Sequence, residues 1–256
     1  MNHSAPPKPA KASGCYLYGI VRAPLPAEAC RITGLFDAPV FALDYDGVAV
    51  VASDVPVGKL RPERRNIAAH HQVQRHLMEQ GTLLPMAFGM VADNRKAAER
   101  MLKSYRGIFL KQLERVADKV EMGLRVSLET PQVVEYFVAH SPELQALRDQ
   151  LLAQGGGSRN DRIELGHQFE QMLRKTRDEM VERIEATLAT ICSDFRRNPE
   201  RSERDLASLA CLVSRDDMAA FEAKVGEAAD QFDDEHVFQF SGPWPPHNFI
   251  NLDVQI

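Results

Sequence analysis

The feature that most constrains this fold is one long run of helical periodicity, which extends from about Asn160 to Asp194. Residues at spacings of three and four form a stripe that is apolar except for one threonine, while charged residues occupy the other faces. The stripe consists of Leu165, Phe169, Met172, Thr176, Met180, Ile184, Leu188 and Ile191. At about 1.5 Å per residue this helix would span roughly 50 Å, which is too long for one compact domain to cover. We therefore predict that it pairs with residues 131–153 as a helical hairpin.

Two interpretations of this apolar stripe remain open. In the first, the helix packs on its own domain, and Met172 and Ile184 are core residues. In the second, the helix protrudes as a coiled-coil arm or presents the stripe to a partner, and the same two residues bind that partner. The three glycines at 155–157 are interpreted as a flexible linker between helices.

Residues 15–118 predict an N-terminal domain that mixes strands with helices. Strands are expected at 15–21, 40–45, 48–55 and 83–88, and helices at 62–79, 94–103 and 104–117. Asp46-Gly47 separates the second and third strands and favours a tight hairpin, because both central residues of a type I′ turn need positive φ. Pro85 indicates an edge position or a bulge for the fourth strand. Asp93 or Asn94 is expected to cap the helix that follows.

Residues 119–256 predict a second domain in the order strand, long helical insertion, strand, helix, strand. Its first strand is indicated by the alternation of Val120, Met122, Leu124 and Val126 with more polar residues. Later strands are expected at 206–213 and 236–240, on either side of a helix at 215–231 that begins with a capping box from Ser214 to Asp217. Each domain suits a small α/β sandwich with a mostly antiparallel sheet, so the predicted fold class is α+β.

The composition excludes several functional classes. A formal net charge of −5, with no basic stripe that interleaves aromatic residues, argues against a nucleic-acid partner. The sequence has no run of 18 apolar residues and no signal-peptide pattern, so we expect a soluble, cytoplasmic protein without a membrane contact. Residues 1–14 have the composition of a disordered tail. None of the four cysteines forms a CxxC pair, which predicts no zinc cluster, and the lack of an export signal predicts reduced thiols.

No motif in the sequence demands catalysis, so we predict a binding protein and not an enzyme. The chain lacks a phosphate-binding loop, a dinucleotide fingerprint and a nucleophile elbow. His70, His71 and His76 are separated by spacings that align poorly on a helix, and we interpret them as isolated polar-face residues. The acidic run 233–235 lacks the spaced oxygen ligands of a calcium loop and is interpreted as a solvated turn. We therefore predict no catalytic residue, no cofactor and no metal.

The segment from Phe240 to Ile250 holds three prolines and the only tryptophan of the chain. Because proline fixes φ and lacks a backbone donor, residues 242–246 are expected to end any strand or helix. Apolar residues flank the turn on both sides, which indicates a docked C terminus. The candidate site residues here are Trp244, Pro245, Pro246, Asn248 and Phe249. We interpret Trp244 as a structural plug; recognition of a partner by an exposed indole is the alternative.

Three segments together resemble the gas vesicle protein F/L family. The first is the opening strand at 15–21, and the second is the stretch at 82–91 that contains Leu84, Pro85 and Phe88. The third is the terminal segment at 240–250, in which His247 stands where an aromatic residue is usual in the family. The three segments occur in the family's order and span nearly the whole chain, from about residue 15 to residue 253.

The resemblance implies a cytoplasmic accessory protein that is associated with the gas vesicle as a minor component. It implies binding to the small, hydrophobic main shell protein, which this partner would keep from aggregating during nucleation, and contact with other gas vesicle accessory proteins. It also implies two α/β domains, the second ferredoxin-like with a coiled-coil extension at about 131–194. The alternative is a small-molecule-binding or catalytic α+β protein that shares only the fold.

Overall fold

A computed structural model describes residues 13–56, 60–130, 132–153 and 158–255. The chain divides into two compact units. Unit 1 comprises residues up to Val120 together with Trp244 and the residues after it, and unit 2 comprises Glu121–Pro243. The predicted division placed residues 244–256 in the second domain; in the structure they group with unit 1. The predicted tail is, apart from residues 13 and 14, outside the described residues, as are Pro131 and the glycines at 155–157.

Unit 1 contains an antiparallel sheet with the order β2-β3-β1-β4, and β5 also pairs with β1. Its strands are β1 (Ser13–Arg22), β2 (Val40–Tyr45), β3 (Val48–Pro56), β4 (Leu83–Pro85) and β5 (Val91–Ala92). The central strand β1 is buried from Cys15 through Val21. Asp46 and Gly47 have φ of 40° and 88°, so the predicted hairpin is confirmed. Pro85 lies in the edge strand, as predicted. Its missing N–H therefore does not remove a hydrogen bond from the centre of the sheet.

Two helices cover this sheet: α1 (Arg64–Gln80) and α2 (Arg95–Arg115). Asn94 caps α2, since its side-chain oxygen accepts a hydrogen bond from the Ala97 N–H at 3.0 Å. The prediction of two helices at 94–103 and 104–117 is wrong, because one helix runs without a break from Arg95 to Arg115, through Gly107 as well. Glycine lowers helix propensity without ending a helix whose apolar face is buried, and Leu102 and Phe109 are buried on either side of it.

Unit 2 contains a four-stranded sheet with the order β7-β8-β6-β9. Its strands are β6 (Lys119–Leu128), β7 (Cys192–Arg197), β8 (Asp205–Ser214) and β9 (His236–Trp244). Its helices are α3 (Val133–His140), α4 (Pro142–Ala153), α5 (Arg159–Leu188) and α6 (Met218–Ala229). The alternation predicted for β6 is confirmed from Met122 to Leu128, whereas Glu121, which was expected to face solvent, is also buried.

Three predictions for unit 2 are wrong at element ends. The long helix ends at Leu188 and not at Asp194, and the strand β7 that follows was missed. Helix α6 begins at Met218, and Ser214 makes no side-chain capping bond. Strand β9 does not stop before residue 242 but runs to Trp244. Since β9 is an edge strand, Pro243 can lie in it with no central ladder bond lost.

Ion pairs and hydrogen bonds attach the helical insertion to the unit 2 sheet. Arg197 in β7 donates to both carboxylate oxygens of Glu185 in α5, at 3.0 and 2.8 Å. At the start of β8, the Asp205 side chain is fully buried and accepts hydrogen bonds from the Arg125 guanidinium and from Ser202. These contacts fix the C-terminal half of α5 and the neighbouring strand ends.

Candidate partner-binding site

The terminal segment is anchored by buried residues other than the tryptophan. Pro245 and Pro246 are buried, and Phe249 in the short 3₁₀ turn His247–Phe249 is only 1% exposed. Trp244 is 41% exposed. The interpretation of Trp244 as a buried plug is therefore wrong, and Phe249 has that role. The sequence could not separate the two, because both are large apolar residues beside the same proline turn.

This segment docks on α1 and α2 within unit 1. The Arg75 guanidinium lies 5.9 Å from the centroid of the Trp244 ring, a distance at which cation–π attraction operates. His247 Nε2 lies 3.2 Å from the Gln74 side-chain oxygen. Farther along, the Gln255 N–H donates to the Tyr105 hydroxyl at 3.2 Å. The indole is thus held at the surface beside a cation while the chain on either side of it is fixed.

Gln74 connects the three segments on which the family resemblance was recognised. Its side-chain NH₂ donates to the carbonyl oxygens of Tyr18 and Met86, both at 2.8 Å. Because that amide oxygen can only accept, His247 Nε2–H is the donor in their contact. One buried amide therefore bonds to the opening strand, to the 82–91 stretch and to the terminal segment. Sequence reasoning missed it, since a glutamine on a helix gives no local signal of burial.

The 82–91 stretch contributes to the core of unit 1. Leu84 and Pro85 are buried in β4, and Phe88 packs edge-on to Tyr16 and to His70. The Gly89 N–H donates to the Tyr16 hydroxyl at 3.2 Å, which ties this stretch to β1. These predicted site residues are therefore placed where they support the docking of the terminal segment and offer little surface of their own.

The three histidines of α1 lie in different environments. His70 is buried, and its Nδ1 accepts a hydrogen bond from the Tyr16 hydroxyl at 2.8 Å, so its interpretation as a polar-face residue is wrong. Burial, followed by the charges of His71 and His247, lowers the pKa of His70 to about 4. His71 is exposed and His76 half-buried. Within the described parts of the chain, no three His, Cys, Asp or Glu side chains are arranged to hold a metal ion.

The apolar stripe of α5 is buried in the C-terminal half of the helix and more exposed toward the N-terminal end. Ile184 is 1% exposed and Leu188 is buried, so the C-terminal half packs within unit 2. Met172 and Phe169 are half-buried, and Ile163 near the N-terminal end is 50% exposed. The first interpretation therefore describes the C-terminal half of the helix, and the second stays a prediction for the N-terminal half. Met172 lies near the boundary between the buried and the more exposed part of the helix.

Asp233, in the run interpreted as a solvated turn, is the centre of a hydrogen-bonded cluster in unit 2. Its carboxylate accepts from the Tyr136 hydroxyl and from His236 Nδ1, both at 2.7 Å. Burial would raise the pKa of Asp233, but these hydrogen bonds outweigh it and hold the pKa below its usual value. The cluster lies at a cavity of about 590 Å³ between α3, α5 and the turn before β9. It fixes that turn against α3.

None of the helices in the described ranges is both long enough and apolar enough to cross a membrane.

Comparison with known proteins identifies the family that has this fold and these three segments. A family model described as gas vesicle synthesis protein GvpL/GvpF matches residues 14–251. The chain belongs to that family, and the resemblance seen in its sequence is confirmed.

Curated relatives and solved structures agree with this family. Gas vesicle protein F of a Streptomyces species is 31% identical over 237 residues, which cover 92% of this chain and 98% of the relative. The crystal structure of the gas vesicle protein GvpF from Anabaena sp. has a TM-score of 0.83 at 22% identity and covers 94% of this chain and 99% of its own. GvpF from Microcystis aeruginosa has a TM-score of 0.79 at 21% identity, with coverages of 93% and 99%. Both likenesses support the mixed helix and sheet architecture with two antiparallel sheets.

Proposed function

We propose that this protein is an assembly factor for gas vesicles, a minor component that binds the hydrophobic main shell protein and limits its aggregation during nucleation. The observation that carries the proposal is the family match along residues 14–251, which includes all three segments that meet at Gln74. A subunit that must build a gas-filled shell exposes apolar surface before assembly, and such surface aggregates unless a partner covers it. Other accessory proteins of the vesicle are further partners in this proposal, and its place of action is the cytoplasm at the growing vesicle.

The candidate binding residues divide into contact residues and supporting residues. Trp244 and Met172 offer accessible apolar surface, and an aromatic side chain held beside a cation is typical of a binding hot spot. The exposed Asn248 follows Trp244 by four residues in the chain. The supporting residues, which hold the contact residues in place, are Pro245, Pro246, Phe249, Leu84, Pro85, Phe88 and Ile184.

We infer a ferredoxin-like arrangement for unit 2. Its elements follow the order strand, helical insertion, strand, strand, helix, strand, with the spatial order β7-β8-β6-β9. This is the split βαβ pattern, in which two α-connected halves share one sheet. The insertion of α3, α4 and α5 replaces the first connecting helix, and the N-terminal half of α5 is its proposed coiled-coil extension. The proposed domain division falls near residues 118–121.

The mechanism proposed is binding without turnover. No sequence motif for phosphate binding or nucleophilic attack is present, and the relatives are named as gas vesicle proteins. A small-molecule-binding function is the second candidate, because the cavity beside Asp233 has a volume within the range of ligand sites. If a small molecule binds in this cavity, its addition should raise the melting temperature of the protein. Binding of the shell protein through another surface predicts no such effect of a small molecule.

Co-expression tests the proposal. The tagged protein is produced in cells together with the main shell protein, and the material that copurifies is quantified against an unrelated tagged α+β protein. We expect the shell protein to copurify only with the gas vesicle family member. If both tagged proteins retain the same background amount, the proposed binding function is wrong.

A further inference from the structure

A second groove in unit 2 lies between α3, α4 and the N-terminal half of α5, with a volume of about 290 Å³. Its walls are aliphatic and aromatic side chains: Val134, Val138, Leu144, Leu147 and Phe169. Leu144 is buried, whereas Val138, Leu147 and Phe169 are half-buried and Val134 is 50% exposed. Apolar surface that stays in contact with water in this way is a recurring mark of a protein-binding groove.

Two arginines, Arg148 and Arg162, complete the lining of the groove. Both are exposed, and the Arg148 guanidinium is 2.8 Å from the carboxylate of its neighbour Asp149. Among the side chains of the groove that the structure describes, none is acidic. An occupant that places a carboxylate beside its apolar residues would therefore meet a complementary charge, and Arg can bind such a carboxylate through two parallel hydrogen bonds.

The shape of the groove favours a helix as occupant. All of its walls belong to helices, so it offers side-chain ridges and no unpaired strand edge for β-augmentation. Gly166 of α5 lines the groove, and a Cβ built on it would meet no atom within 4 Å. A helix can therefore approach the α5 backbone closely at this point.

We propose that this groove binds the apolar face of an amphipathic helix of the main shell protein, with a carboxylate of that helix paired to Arg148 or Arg162. This inference rests on the proposed function and names the surface that performs it. Apolar burial supplies the affinity, and the two arginines select a helix whose apolar face carries an acidic neighbour.

The test fills the groove without disturbing the core. Gly166→Phe introduces a ring where the structure leaves space, and Gly226→Phe in α6 is a matched control, because Gly226 is also helical, exposed and free of atoms within 4 Å of its Cβ position. Arg162→Glu reverses one charge at an exposed position. Each full-length variant is co-expressed with the main shell protein, and copurified shell protein is measured per molecule of bait. Circular dichroism melting and light scattering after gel filtration report folding and oligomeric state.

We expect Gly166→Phe to lower capture by about tenfold or more, as loss of a central contact does, while Gly226→Phe keeps the wild-type level. Arg162→Glu is expected to lower capture by a smaller factor that shrinks at high salt. Equal capture by Gly166→Phe and Gly226→Phe would overturn the groove proposal and leave the proposed function intact. If Gly166→Phe does not fold, wild-type capture by Arg162→Glu would overturn the groove proposal instead. A change of oligomeric state with unchanged capture would assign the groove to a second copy of this chain and also overturn the proposal. Absence of capture by the wild-type protein would overturn both.

Discussion

Single residues in unit 1 explain why three distant segments of this chain belong together. Gln74 bonds to the carbonyl oxygens of Tyr18 and Met86 and faces His247, so one buried amide satisfies polar groups from three segments. Loss of one of these partners would leave part of the buried Gln74 amide unpaired, which costs about 1–3 kcal/mol for each unsatisfied group. Removal of any one segment would therefore leave one polar atom or N–H of the buried Gln74 amide without its partner.

The terminal segment gives a direct comparison of an anchor with an exposed aromatic residue. Phe249→Ala should lower the free energy of unfolding by about 3–5 kcal/mol, because it empties a fully buried site. Trp244→Ala should cost only about 1 kcal/mol, because much of the indole is already in water. Urea denaturation of both variants, followed by circular dichroism, measures the two values. Equal costs for the two substitutions would show that the indole is as buried as Phe249.

His70 predicts a pH dependence of stability. Its pKa is about 4 in the folded protein, against about 6.5 for a histidine in an unfolded chain. The unfolded state therefore binds more protons between these values, so stability is complete above about pH 6.5 and falls by about 1.4 kcal/mol for each unit below it. Urea denaturation at about pH 7.5 and about pH 5 should show this loss in the wild type.

The variant His70→Gln is the control for that pH dependence. Glutamine can still accept the hydrogen bond from Tyr16, and it does not titrate. The loss of stability between the two pH values should be smaller in the variant, while His247, whose pKa burial also lowers to about 4, is present in both proteins. The same pH dependence in both proteins would mean that other groups cause it.

At the scale of elements, α5 combines a packed half with an exposed half. Ile184→Asp should destabilise the protein by at least about 3 kcal/mol, since it places an unpaired charge in the unit 2 core. Met172→Asp should cost about 1 kcal/mol, and Ile163→Asp, at a half-exposed position, should change stability by less than about 0.5 kcal/mol. Thermal denaturation ranks the three variants. A large cost at Ile163 would mean that the N-terminal half of α5 is also packed.

Much of the element order could be predicted from the sequence, and the errors have physical causes. The hairpin at Asp46-Gly47 and the cap at Asn94 were predicted because each depends on a local backbone requirement. The end of α5 was not, because Leu188, Ile191 and Cys192 fit a helical spacing as well as the start of a strand. Pro243 was taken as a strand stop, but an edge strand tolerates it.

The candidate site was less predictable than the elements. Trp244, Pro245, Pro246 and Phe249 were chosen from the proline turn, its apolar flanks and the family resemblance, and only tertiary packing separates the exposed indole from the buried ring. Asp233 and its partners Tyr136 and His236 come from distant parts of unit 2, so no local pattern reports their contact.

At the scale of the whole molecule, two units of similar size are built from one chain that returns to the first unit at its end. The family match and the relatives extend over both units, so the similarity to the family is not confined to one domain. Trp244 in unit 1 and the α3–α5 groove in unit 2 are the surfaces that we propose for a hydrophobic partner.

We propose that this protein keeps the main shell protein from aggregating by binding it. The most direct measurement is the soluble fraction of newly synthesised shell protein in a cell-free reaction, with increasing amounts of the purified protein added. We predict that the soluble fraction rises and saturates at a fixed ratio of the two proteins, and that they elute together from gel filtration. A soluble fraction that does not change, or that rises equally with an unrelated α+β protein, would contradict the account.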